Sequence, residues 1–386
     1  MVAGVLLFVT PGAYVALAFQ IAPLGSRFEG RLTNETPPYL GRVAGALVRL
    51  IKDPVHEEIT QLAFACPSEI AKLSEDKECA GGDAGFANHF VIYGVRWNDL
   101  PPFRLAASEG QTCKKLFIAG AACNTSQTIR FSTQPDCWFC LFKHAEKQAA
   151  SAKIVGCAGP VRATGKGMVQ GNLMTRSHYG DLQFLHGMAV ADGLPAEVTR
   201  TEVLQWLQFA WSVATGGIKA DTPLRNLDIP LIKDRFGCTG WTVTDLYLLG
   251  RVDKMLRNLD DVALGSVLHT VQDSFAAGHV ERESPVGKDQ CGADVPFLRP
   301  GSIIEFHSYA LQDGGSHDKE DYRNAMIRQA SSPWPEAVEA SRNLVSLYRQ
   351  RKNWSEVEPY LQCLFTLSAR SRPSSPGENF RRSPVS

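Results

Sequence analysis

The stretch His269-Thr-Val-Gln-Asp273-Ser-Phe-Ala-Ala-Gly-His279 brings two imidazoles and a carboxylate into one short run. On a helix, positions four apart lie one turn above each other, so His269 and Asp273 share a face and can grip one cation. His279 falls just past the helix stop that Gly278 marks. His317 and Asp321 repeat the same spacing further on, and His269, His279, His307 and His317 crowd into one part of a chain with 9 histidines. A lone His-x-x-x-Asp pair is usually a solvated or structural pair. Two such pairs with a histidine between them define a candidate multinuclear metal centre. Nitrogen and carboxylate donors without thiolate suit zinc in a catalytic role, where coordination positions stay open for water and substrate.

The elements that must carry these residues read as helices. Val262, Leu264, Val267, Leu268 and Val271 form the apolar stripe of the helix bearing His269 and Asp273. Val203, Leu204, Leu207, Phe209 and Trp211 predict another helix, and Leu246 to Leu256 a further one. Upstream, a polar linker over 19–50 runs into a helical pattern at Val43, Leu47, Leu50 and Ile51, which Pro54 breaks. Ile59, Leu62, Ala63 and Cys66 then predict an amphipathic helix that carries His56 at its start. Strand-like alternation is scarce, so the fold class is mainly α, with one domain over 51–365.

Composition narrows the setting. The 386 residues include 40 basic and 40 acidic side chains, so no bulk field draws the chain to polynucleotide or to an anionic membrane. Several of the 10 cysteines lie in polar, turn-rich sequence such as Cys79-Ala-Gly-Gly, usage that suits disulfides in an oxidising compartment. Cys137 and Cys140 are expected to form a local disulfide. Residues 1–18 are apolar and end in Ala16-Leu-Ala18, a pattern suited to a cleaved secretory signal, which implies a secreted or periplasmic protein. No other apolar run is long enough to span a bilayer. The tail over 366–386 is rich in Ser, Pro and Arg, lacks apolar periodicity and is expected to be disordered.

The order of candidate ligands resembles that of the zinc-dependent phospholipase C and fungal zinc single-strand nuclease superfamily. The resemblance rests on His269-x-x-x-Asp273, then His279, then His317-x-x-x-Asp321. It extends upstream to His56 in Asp53-Pro-Val-His-Glu-Glu, to Asp99 in Arg96-Trp-Asn-Asp, and to His178 in Ser177-His-Tyr-Gly-Asp. It implies a helical zinc phospholipase C-like domain binding roughly two to three Zn2+ per chain. Asp99, His178, His269 and Asp273 would hold one ion, with Asp273 bridging to a second at His56. His279, His317 and Asp321 would hold a third, and Asp99 would also act as the catalytic base.

Two departures stand out. The family completes the His56-type site with an amino-terminal Trp, and no Trp precedes His56 here. The family also joins its equivalents of Asp99 and His178 by a short loop, so the Cys-rich stretch over about 104–165 looks like an insertion beside the site. His186 is a rival to His178, but its apolar neighbours Phe184 and Leu185 read as core. His307 is a supporting or alternative ligand. The implied activity is a phosphodiesterase, foremost a phospholipase C acting on phosphatidylcholine-type lipid at a membrane surface, with no stable nucleic-acid complex. The alternatives are a single-strand nuclease or 3'-nucleotidase, with Trp97 and Trp138 as base platforms, and a noncatalytic metal-stabilised binding protein.

Overall fold

The computed structural model describes residues 55–65, 87–104, 128–129, 157, 173–249, 253–284, 290–292, 295–309, 311–320 and 337–382. In chain order its helices are α1 (Val55–Ala63), α2 (His89–Trp97), α3 (Leu173–Tyr179), α4 (Ala196–Ala214), α5 (Pro230–Phe236), α6 (Val243–Leu248), α7 (Asp253–Leu256), α8 (Leu259–Asp273), α9 (Gly314–Glu320), α10 (Ala337–Arg349) and α11 (Trp354–Leu364). The strands are short and pair antiparallel in twos: β1 (Phe103–Arg104) with β2 (Thr128–Ile129), β3 (Val280–Arg282) with β6 (Ile303–Phe306), and β4 (Gln290–Gly292) with β5 (Val295–Leu298). The class is mainly α, as the periodicity predicts. No helix among the described residues is long and apolar enough to cross a membrane.

Helix α8 is the axis of the fold. Every residue in it except Asp260 and Asp261 is buried, which a surface helix with one apolar stripe would not show. Helices α1, α2, α4, α6 and α10 pack around it. The α2 crossing is the closest, because two glycines face the opposite backbone there. A Cβ on Gly94 would lie 2.0 Å from the Val262 carbonyl oxygen, and one on Gly265 would lie 2.3 Å from that of Val91. Beyond this crossing, Trp97, Trp206, Phe209 and Tyr247 form an aromatic cluster, with Trp97 Nε1 donating to the Tyr247 carbonyl at 3.0 Å. Burying the indole with its N–H satisfied removes the usual cost of an unpaired donor.

Three expectations change. The single helix expected over Leu246–Leu256 is two, since Leu249 adopts a left-handed backbone with φ of 40° and closes α6. The tail expected to be disordered is ordered through residue 382. It forms backbone bridges Ile303 to Leu367, His307 to Ser375 and Gln312 to Arg381, then a 3-10 turn at Glu378–Phe380. Its serines and backbone satisfy exposed main-chain edges, so hydrogen bonding replaces the apolar burial that the composition lacks. The third change, at His186, belongs to the site.

Among the described residues, two disulfides join distant segments, Cys157 to Cys238 and Cys291 to Cys363. The second ties β4 to α11. Both fit an oxidising compartment. The amino-terminal segment, the pattern at Val43–Ile51, Cys137 and Cys140, and nearly all of the expected insertion lie outside the described residues.

Candidate metal centre

Asp273, at the end of α8 and fully buried, is the hub. Its Oδ1 lies 3.1 Å from His56 Nε2; its Oδ2 lies 2.9 Å from His269 Nε2 and 3.0 Å from His186 Nδ1. His269 and Asp273 thus meet across one helical turn, as their spacing predicts. His56, in the first turn of α1, stacks on His269 with ring centroids 3.9 Å apart. Among the described residues, no Lys or Arg forms an ion pair with Asp273.

Five of the rings in this region are held by Nδ1, whereas His186 turns its Nδ1 toward Asp273. His269 Nδ1 donates to the Val95 carbonyl at 2.6 Å, a contact that exists because Gly94 and Gly265 let α2 and α8 approach. His56 Nδ1 donates to Gln272 Oε1 at 2.6 Å, and Gln272 Nε2 donates in turn to Thr60 Oγ1 at 2.9 Å. His178 Nδ1 donates to the Met174 carbonyl at 2.9 Å. His279 Nδ1 donates to the His186 carbonyl at 2.7 Å, and His317 Nδ1 donates to Gln312 Oε1 at 2.8 Å. A carbonyl oxygen only accepts, so each Nδ1 carries the proton and each Nε2 of a neutral ring presents its lone pair.

Those lone pairs converge. His279 Nε2 and His317 Nε2 stand 3.1 Å apart, two acceptors face to face. Burial holds His269 and His186 down to about 4 and His178 to about 3. Burial likewise lowers His279, and lowers His317 far below the ordinary imidazole value with help from neighbouring His279. The rings are therefore neutral near pH 7. Burial alone would raise Asp273, but once acid protonates the neighbouring imidazoles, His269 first among them, their charge holds the carboxyl well below its usual range. A buried carboxylate beside imidazoles that burial keeps neutral is an arrangement suited to sharing a cation.

Two residue groups meet the distance requirement for a shared ion here: His56 with His269 and Asp273, and Asp99 with His178 and His186. In the second group, Asp99 Oδ1 lies 3.8 Å from His178 Nε2 and 3.7 Å from His186 Nδ1. Asn98 fixes the backbone beside Asp99 by donating to the Leu185 carbonyl at 2.8 Å and accepting from Ser266 Oγ at 2.7 Å. His279 follows α8 through a turn that Arg282 secures, donating to the carbonyls of Ser274, Gly301 and Leu364. Burial pushes that guanidinium down to about 9.

Seven of the eight sequence candidates therefore meet in one buried region: His56, Asp99, His178, His269, Asp273, His279 and His317. Asp321 lies outside the described residues. His186, read from its apolar neighbours as core, is instead a member of the site and touches both Asp273 and His269. Its neighbours are apolar because the 3-10 turn at Gln183–His186 packs one side on the core and turns the ring inward. His307 sits apart, donating from Nδ1 to the Gly278 carbonyl at 3.1 Å beside Glu281 and Glu305. Arg372 pairs with both carboxylates there and supplies the positive charge that group would otherwise seek.

No family model, curated protein or solved structure matches this chain.

Proposed function

We propose that the chain is a zinc-dependent phosphodiesterase, acting as a phospholipase C on phosphatidylcholine-type lipid. The observation that carries this reading is the set of five histidines, each with Nδ1 bound to an oxygen acceptor and Nε2 turned toward the carboxylates or toward another Nε2. The nitrogen and oxygen donors fit zinc, and with no thiolate in the described set the pattern supports open, catalytic coordination over a closed structural shell. A noncatalytic metal-stabilised protein would need closed shells.

His56, His269 and Asp273 would hold one ion; Asp99, His178 and His186 a second; His279 and His317 would contribute to a third with Asp321. Bound zinc would supply a nucleophilic hydroxide near neutral pH and offset charge on the phosphoryl oxygens. The two oxygens of Asp273 face different imidazoles, which suits a carboxylate shared between neighbouring ions. Asp99 would accept the proton of the attacking water, helped by its location beside two neutral rings.

Lipid and nucleotide offer the metals the same phosphodiester, so the surroundings of the site choose the substrate class. A balanced net charge gives no basic track for a polynucleotide. Trp97, a candidate base platform, is buried in the aromatic cluster with its N–H committed to Tyr247. Trp138 lies outside the described residues. The disulfides suit an exported enzyme meeting lipid from outside the cytosol.

Side-by-side assays test the reading. With zinc and pH held constant, the protein is expected to release diacylglycerol and phosphocholine from phosphatidylcholine faster than it degrades single-stranded DNA or RNA. Rapid nucleotide release with intact lipid would transfer the assignment to the nuclease alternative.

A further inference from the structure

We propose that the C-terminal segment 374–382 is a clamp for the metal centre, acting through Gln312 as the positioning residue for His317. The inference rests on the metal reading above. It assigns a role to a part of the chain whose composition suggests none.

The Gln312 side chain is buried and fully used. Its Nε2 donates to the Gly278 carbonyl at 2.7 Å and to the Pro376 carbonyl at 2.8 Å. Both partners only accept, which identifies that end as the amide nitrogen and turns Oε1 to His317 Nδ1 at 2.8 Å. One amide thus links the tail, the residue preceding His279, and the ring of His317. The tautomer of His317, and with it the lone pair facing His279, follows from the amide orientation that the Gly278 and Pro376 carbonyls set together.

The tail is fastened around that point. Ser308 N donates to the Ser375 carbonyl at 2.8 Å, Asp313 N to that of Phe380 at 2.6 Å, and Arg382 N to that of Leu311 at 2.9 Å. Gly377, with φ of 83°, passes over His307 where a Cβ would lie 2.6 Å from Cε1. His317 itself stands in α9, whose seven residues make about two turns, too short to be stable by their own hydrogen bonds. The clamp supplies what the helix does not. Removing the partner that fixes a ligand imidazole costs about 10- to 100-fold in metal affinity.

Bound zinc per chain decides this, measured by mass spectrometry after dialysis against buffered zinc. The samples are the intact chain, Gln312→Leu, Gly377→Val and a chain ending at Pro373, with circular dichroism run on each. Each variant is expected to hold one ion fewer than the intact chain at the same free zinc, or to bind its weakest ion about 10- to 100-fold less tightly. The remaining ions should stay, which a general loss of structure would not produce. If the shortened chain loses its helical signal, the two single substitutions carry the decision. Folded Gln312→Leu and Gly377→Val with unchanged zinc count and affinity would overturn the clamp. An intact chain that binds no zinc would overturn the metal reading itself, a separate result.

Discussion

His269 and Asp273 come from one buried helix, whereas His279 and His317 come from a turn and a seven-residue helix held in place by the C-terminal segment. In the first region the ring of His269 is fixed by a backbone carbonyl that a glycine-packed helix crossing delivers. In the second, the ring of His317 is fixed by a glutamine side chain whose own position depends on the tail. Similar chemistry is therefore reached by rigid packing on one side and by local hydrogen bonding on the other. The difference teaches where each region is vulnerable: backbone spacing in the first, side-chain amides in the second.

The largest expected effect is at the hub. Asp273→Asn keeps the shape but removes the charge that draws cations to His56, His269 and His186, so phosphodiesterase activity should fall by more than about 100-fold. His56→Ala removes one ring from one oxygen of Asp273 and should harm activity less. Steady-state kinetics of the two variants check the order. Equal losses would show that the His56 position matters as much as the hub.

Next in size is a test of the helix crossing. Gly265→Ala forces a Cβ to within 2.4 Å of Val95 N, next to the carbonyl that binds His269. Overpacking of this kind costs about 1–3 kcal/mol, and more where backbone must move. The melting midpoint should drop by several degrees, together with zinc affinity. An unchanged midpoint would mean that the crossing is looser than the close approach of α2 and α8 requires.

How legible this was in the sequence follows the same division. The helical periodicity of Val262–Val271 placed His269 and Asp273 correctly, since spacing along a helix fixes which side chains meet. His56 at a helix start was legible for the same reason. His186 was not, because a ligand buried against the core has the same apolar neighbours as an ordinary core histidine. Gln272 and Gln312 carry no signal of their own, as an amide's role depends on contacts far away in the chain. The ordered tail was hidden because backbone hydrogen bonds leave no trace in composition. The break at Leu249 was masked because Leu246, Leu249, Val252 and Leu256 continue a helical spacing of apolar residues across it.

A smaller effect concerns acid. Burial lowers His269 and His186 from 6.5 to about 4, and His178 to about 3. As pH falls, the unfolded chain takes up protons near 6.5 while the folded chain resists, so acid favours unfolding. Stability from these rings is complete above about 6.5 and is lost progressively down through about 4, the loss at His178 continuing to about 3. The melting midpoint of metal-free protein is expected to decline across that window. A flat profile from pH 7 to 4 would show that the rings are not held neutral by burial.

Zinc content tests the central claim most directly. Purified protein, analysed by mass spectrometry without added metal, is expected to carry roughly two to three zinc ions per chain and to lose them together with activity on chelation. Folded protein that holds no metal and keeps its activity after chelation would contradict the account.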